Sequence, residues 1–321
     1  MIQYIKNSLL VLTVLAGNSI LAQYTDAINS NRPGESQSAF SVGQTVLQAE
    51  TGVYGISQEH VLLGTETKGV GGQLVLRYGA FFEQLEFNVD LKYQFDQYKT
   101  ALGTENRNDF KRITLGAKYL IYDPYKNYEE KINILSWKAN HRFKWRQFIP
   151  AVGVYAGANL NFNSVYYSSL ENTFSPKLAV ITQNQFSGGY VLVMNFIADK
   201  IATDFNSYGY ILTMTKGFND KWSGFLEHQG IISDAYTDYN LRAGAAYLIK
   251  DNIQIDASIG GNFKDTPSIF DAGIGLSWRF DKNYKPILIR SGKEGKDKEK
   301  DKKKEKKERK DKVETIEVEK P

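Results

Sequence analysis

The chain has no cysteine and only seven prolines in 321 residues. Without cysteine there is no disulfide framework and no thiolate metal site. Histidine is scarce too: His60, His141 and His228 are the whole supply. None stands at a His-x-x-x-His or Glu-x-x-His spacing, so no metal centre is expected. Glu227 and His228 are adjacent, and on a strand adjacent side chains point to opposite faces, which separates a would-be base from its partner. No Gly-x-x-x-x-Gly-Lys loop is present to cradle phosphate. With no nucleophile–base arrangement in view, no enzyme site and no cofactor is expected.

An excess of either charge is also missing from most of the chain. The formal net charge is +4, but residues 293–321 hold 13 Lys/Arg against 10 Asp/Glu, a net of +3. The remainder is close to neutral and offers no basic nucleic-acid surface. Past the N-terminus no apolar run reaches 18 residues, so no membrane-spanning helix is expected.

The N-terminus itself has the layout of an export signal. Lys6 is followed by the apolar run Leu9–Ala16, and Ala22 precedes a plausible cut before Gln23. The run is too short to span a bilayer, so residues 1–22 read as a cleaved signal peptide rather than an anchor. An exported chain without helical anchors is periplasmic, secreted, or an outer-membrane barrel.

What the chain has in abundance is alternation. From Gln84 to Asp96, Leu85, Phe87, Val89, Leu91, Tyr93 and Phe95 alternate without a break with polar residues. A period of two puts every apolar side chain on one face of a sheet and every polar one on the other. The run exceeds the roughly 5–6 residues usual for a strand in a soluble protein. It also exceeds the roughly 9–11 that a tilted strand needs to cross a membrane. The same signature recurs at 73–82, 112–121, 148–162, 238–247, 253–260 and 270–280, and more weakly near 44–56, 177–187, 189–199, 208–216 and 221–230. These segments predict an all-β, antiparallel up-and-down transmembrane β-barrel of about twelve strands over 44–280. Aromatics near the strand ends, such as Tyr239, Tyr247, Phe270, Trp278 and Phe280, suit the wet girdles of a membrane barrel better than a soluble sandwich.

Connection lengths point the same way. Tight links near Glu83, 187–189, 217–220 and 250–252 alternate with longer ones at 57–69, 97–109, 163–176, 199–207, 230–237 and 261–269. Short turns face the periplasm in such barrels, which places both termini there. Residues 123–146 break the rule and read as a periplasmic insertion with a helical piece. Residues 281–321 read as a charged periplasmic tail, disordered or a solvated helix held by opposite-charge pairs, and either a solvated spacer or a contact for a periplasmic partner.

If the apolar parity faces outer-membrane lipid, the polar parity lines the lumen. Glu50, Arg77, Glu86, Asp90, Lys92, Arg112, Lys118, Glu227, Arg242 and Asp256 are the candidates. Such mixed charges either pair across the barrel and close it or form a selective lining. Residues 23–43 form an N-terminal periplasmic or luminal segment, in which Arg32 and Glu35 are candidate contacts of a partial plug.

Five short pieces carry a resemblance: Asn31-Arg32-Pro33-Gly34, Gln48-Ala49-Glu50-Thr51-Gly52, Phe225-Leu226-Glu227, Ile253-Gln254-Ile255-Asp256 and Ala272–Phe280. In this order the chain resembles, over about 30–280, a family of outer-membrane transporters named after the meta-pathway of phenol degradation. The resemblance implies an outer-membrane barrel with a transport role; the tail and the long insertion depart from it. A terminal strand ending in Phe280 suits the outer-membrane assembly machinery, although here the tail makes that signal internal. The functions left open are a pore or transporter for small solutes, hydrophobic or aromatic ones included, and a structural barrel that anchors periplasmic partners through its tail.

Overall fold

The computed structural model of the chain describes residues 27–126, 135, 145–234 and 236–281. Within them twelve strands form in chain order: β1 Leu47–His60, β2 Thr65–Gly79, β3 Leu85–Thr100, β4 Gly103–Tyr122, β5 Ala151–Leu160, β6 Phe174–Phe186, β7 Tyr190–Asp199, β8 Ser207–Gly217, β9 Trp222–Ser233, β10 Thr237–Lys250, β11 Ile253–Asn262 and β12 Ser268–Phe280. Each pairs with its sequence neighbours, and β1 closes on β12 from Leu47↔Phe280 to Glu59↔Ser268. The sheet therefore has no free edge, which is the condition for placing strands in hydrocarbon and what a sandwich fails to meet. No helix of the described residues is long and apolar enough to cross a membrane.

Alternation is translated directly into two surfaces. On β3, Phe87 and Phe95 are exposed while Glu86 and Gln94 are buried. On β12, Phe270, Ile274, Leu276 and Trp278 face outward while Asp271, Ser277 and Arg279 face in. Aromatic pairs mark both ends of the apolar belt. Trp222–Tyr247 and Trp278–Phe280 lie at one end, with ring centroids 4.8 and 4.1 Å apart. Tyr93–Phe110 and His228 between Tyr210 and Tyr239 lie at the other. From Trp278 to Phe270 the chain rises about 26 Å along the strand, or roughly 20 Å along the axis at a tilt of about 40°. That is somewhat less than the apolar band of about 25 Å that outer-membrane barrels present.

The connections differ from expectation at one end. Residues 80–84, 187–189, 218–221 and 251–252 are the short turns, sharing their end with Leu47, Phe280 and the 123–150 connection. Opposite them, only 161–173 and 200–206 are extended loops. The links expected at 57–69 and 97–109 are strand almost throughout, since β1 and β2 meet across 61–64, and β3 and β4 across 101–102. The stretch at 230–237 shrinks likewise to 234–236. The reason is physical. Beyond the lipid neither face of a hairpin needs to be apolar, so Thr65–Lys68, Gln97–Thr100 and Thr104–Asp109 lose the alternating pattern while keeping the backbone pairing. At the short-turn end, Phe81 and Phe82 belong to the turn rather than to β2, and Phe148 ends a 3-10 turn, Trp145–Phe148, before β5.

The expected signal peptide at 1–22, nearly all of the tail at 281–321 and most of the 123–146 insertion lie outside the described residues. Residues 27–46, before β1, run inside the barrel. Ala39 and Phe40 pack with Leu120, Ala151, Tyr155, Ile181 and Val193, all inward-facing on β4–β7.

Candidate functional site, the lumen and its N-terminal segment

The lumen has two unlike walls. One arc, formed by β10–β12 and β1–β4, is lined by charged side chains. The other, formed by β5–β9, is lined largely by apolar side chains and neutral amides and hydroxyls.

At the short-turn end of the charged arc sits a fully buried group. Arg77 donates to Glu86 through Nε and Nη2, both at 2.9 Å, and to Glu50 through Nη1 at 3.0 Å. Lys118 lies 3.2 Å from Glu86. Arg77, Glu50, Glu86 and Lys118 are each no more than 1% exposed. The cations also reach the N-terminal segment: Arg77 donates to the Asn29 carbonyl at 2.8 Å, and Lys118 to the Ser38 and Phe40 carbonyls at 2.8 and 2.9 Å. Buried charges of this kind are tolerated only with paired partners and satisfied hydrogen bonds.

Nearer the middle of the barrel the charges are less tightly closed in. Arg32 donates to Asp256 at 3.0 and 3.3 Å. Glu35 accepts from Arg112 at 3.1 Å and lies 3.6 Å from Lys92. Arg112 Nε lies 2.8 Å from Asp90, and Arg242 pairs with Asp271 at 3.0 Å. Lys92 also stands over the Tyr54 ring, 4.4 Å from its centroid. All the acidic and basic residues singled out from the strand parity thus turn inward, and Arg32 and Glu35 meet them from the segment.

Glu227 is the charged group through which the neutral arc holds the segment; the arc's other inward ion pair, Lys177–Asp199 at 4.0 Å, lies toward the long-loop end. Fully buried, Glu227 accepts the Glu35 and Ser36 amide N–H groups at 3.1–3.2 Å, the Thr213 hydroxyl at 2.7 Å and the Gln229 amide at 2.7 Å. Asn195 and Gln183 hold the same segment by its backbone: Asn195 accepts from Gln37 N–H and donates to Gln37 C=O, while Gln183 accepts from Ala39 N–H and the Ser38 hydroxyl. These amides were missed in the sequence because a neutral polar residue on a weak strand carries no charge pattern.

Five sequence pieces, far apart along the chain, meet at this segment. Arg32 lies between Gly52 and Gly275, where a Cβ at either position would overlap its guanidinium. A Cβ at Gly34 would run into the Glu227 carboxylate. Arg-Pro-Gly is therefore seated by Glu227 of the Phe-Leu-Glu piece, by Asp256, and by the two glycine gaps.

Lys111 is a second residue that alternation hides. Pairing jumps from Lys92↔Arg112 to Tyr93↔Phe110, so Lys111 is a bulge residue. It brings Lys111 inward next to Arg112, where its Nζ donates to Gln94 at 3.2 Å. Above it Arg107 pairs with Asp96 at 2.9 Å and lies over the Tyr98 ring. In the loops at that end, burial first, and then the neighbouring carboxylate of Asp96 or Asp238, pushes the Tyr166 and Tyr236 hydroxyls well above their ordinary range. Both remain neutral donors at physiological pH.

The segment divides the remaining space. On its short-turn side lies a cavity of about 360 Å³ against the neutral arc. On its other side a pocket of about 60 Å³ is lined by Lys92, Lys111, Arg242, Asp271 and Glu35.

Comparison with known proteins gives three findings. Residues 30–280 match the family model described as "Putative MetA-pathway of phenol degradation". No curated protein sequence matches the chain. Among solved structures, the chain is similar in fold to the COG4313 outer membrane channel from Pseudomonas putida F1, at 12% identity and a TM-score of 0.51, covering 78% of this chain and 100% of that one. The KdgM porin in complex with disordered oligogalacturonate follows at 8% identity and a TM-score of 0.45, covering 72% and 99%. The translocator domain of the autotransporter NalP from Neisseria meningitidis is 12% identical with a TM-score of 0.43, covering 78% and 90%.

Proposed function

This chain belongs to the MetA-pathway of phenol degradation family, and we propose that within it the barrel is an outer-membrane channel for small solutes, hydrophobic or aromatic ones included. The observation that carries this reading is the two-walled lumen. Side chains fill the interior of an eight-stranded barrel, and sixteen strands leave a water channel. Twelve strands with one charged wall, one apolar wall and unfilled cavities between them favour passage of a small molecule that touches both.

The segment at 27–46 acts as a partial plug, with Arg32 and Glu35 as its contacts to the charged wall. Glu50, Arg77 and Lys118 anchor it at the short-turn end; Asp90, Lys92, Arg112 and Arg242 line the path beyond. The short-turn end faces the periplasm, so that both termini, the connection at 123–150 and the tail lie there. Assembly uses β12, which ends at Phe280, as the strand read by the insertion machinery, and the tail remains free to meet a periplasmic partner.

Reconstitution of the full mature chain into liposomes tests the reading. Swelling in small neutral sugars or aromatic alcohols is expected, with current steps in planar bilayers. A barrel that is inserted and folded yet passes neither ions nor solutes, and that instead brings down periplasmic proteins, would establish the anchoring role in place of transport.

A further inference from the structure

The cavity of about 360 Å³ on the short-turn side of the segment is chemically unlike the rest of the lumen. Its apolar surface comes from Phe40, Val191, Val193, Phe225 and Ala246. Among the described residues that line it, Arg32 is the one charged side chain, and that guanidinium is held by Asp256 at 3.0 Å between two glycines. Glu227 lies behind the segment with its oxygens taken by four donor groups. A charged solute entering here would shed its hydration without gaining a counter-ion, which is strongly unfavourable.

Neutral hydrogen-bonding groups, by contrast, are on offer. Gln183 is only 6% exposed, and its Oε1 accepts two donors from the segment while its Nε2 donates to no group among the described residues. The side-chain amide of Gln185 and the hydroxyls of Thr215 and Ser223, which also line the cavity, make no hydrogen bond among the described residues. Apolar walls with a few placed polar groups, in a volume of roughly 300–1,000 Å³, are the usual make-up of a small-molecule site. An apolar cavity of about 150 Å³ already accepts benzene. At about 360 Å³ this one has room for a substituted ring.

We propose that this cavity is a binding site for a neutral, single-ring solute carrying one hydroxyl or amide group, its ring between Phe225 and Val193 and its polar group toward Gln185 and Thr215. The assignment deepens the channel reading and rests on it for its biological meaning: the site is where a solute pauses at the short-turn mouth. A charged solute of the same size is excluded.

Three probes of matched size separate the contributions: benzyl alcohol, toluene and benzoate, titrated calorimetrically into the full mature protein in detergent, with empty micelles as the blank. Benzyl alcohol is expected to bind above the blank and benzoate not to bind. Val193→Phe, which fills the cavity, is expected to weaken benzyl alcohol roughly tenfold or more. Thr215→Val together with Gln185→Leu is expected to weaken benzyl alcohol roughly threefold or more and to leave toluene unchanged. Heat-modifiable migration on gels and retained current steps identify variants that still fold. Equal binding of benzoate overturns the proposal, as does benzyl alcohol binding that Val193→Phe leaves untouched in a folded barrel. Current steps without binding sink the site and leave the channel standing; binding without current or swelling keeps the site and removes the channel.

Discussion

The two walls of the lumen treat the N-terminal segment differently. On the charged arc, Arg77, Lys118, Lys92 and Arg112 reach the segment through full charges or charge-assisted hydrogen bonds. On the neutral arc, Gln183 and Asn195 hold it through amide–backbone bonds, with Glu227 alone bringing a charge. The charged wall is consequently crowded, because each buried ion needs its partner close by. The neutral wall leaves its larger cavity open, since apolar and amide surface needs no counter-ion. Difference in wall chemistry thus explains where the barrel is solid and where it has space.

The harshest way to break the comparison is to unbalance the solid side. Arg77→Met leaves Glu50 buried without its cation, and a loss of about 3–5 kcal/mol is expected. It would be measured as a lower urea midpoint for the heat-modifiable gel shift. A loss no larger than that of a surface substitution would show that the buried group is not what secures the barrel. Next in size is Gly275→Val, which fills the gap holding the Arg32 guanidinium. An overpacking cost of about 1–3 kcal/mol is expected, with the segment pushed out. Protease cleavage within 27–46 and larger current steps would register it. Unchanged cleavage would mean that the glycine gap does not seat the segment.

Glu227→Gln sharpens the contrast by removing the one charge with which the neutral wall holds the segment. It keeps the shape but weakens hydrogen bonds to a charged acceptor, with about 1–2 kcal/mol expected and more frequent opening in bilayer recordings. A silent Glu227→Gln would assign the hold on the segment to the charged arc alone. The smallest effect is expected outside the lumen. Glu66 and Lys68 form an exposed ion pair on β2, and replacing both by Gln should leave the urea midpoint where it was, because solvent screens such pairs.

Much of this architecture was legible in the residues. The unbroken alternation of Leu85–Phe95 and of Phe270–Phe280 named strand, length and parity together, and parity alone turned Glu50, Arg77, Lys118, Asp256 and Arg242 inward. Legibility failed where the environment stopped imposing a pattern. The hairpin stems around 57–69 and 97–109 read as loops because, clear of lipid, both faces are polar. Lys111 was invisible because a bulge changes which parity faces in. Gln183 and Asn195 carry no charge signature, and their importance lies in backbone groups that approach from 140 or more residues away in the chain.

Local period and hydrophobicity determined that these strands exist and which face meets lipid, since a two-residue repeat in a nonpolar solvent admits one arrangement. How the short motifs fit together depends on closure of the barrel. Arg32, Gly52, Glu227, Asp256 and Gly275 are unrelated along the chain, and they become a single seat when β1 pairs with β12 and curvature brings their inner faces within hydrogen-bonding reach. Charge pairing and steric clearance act across a few ångströms of space, a distance that linear spacing does not encode.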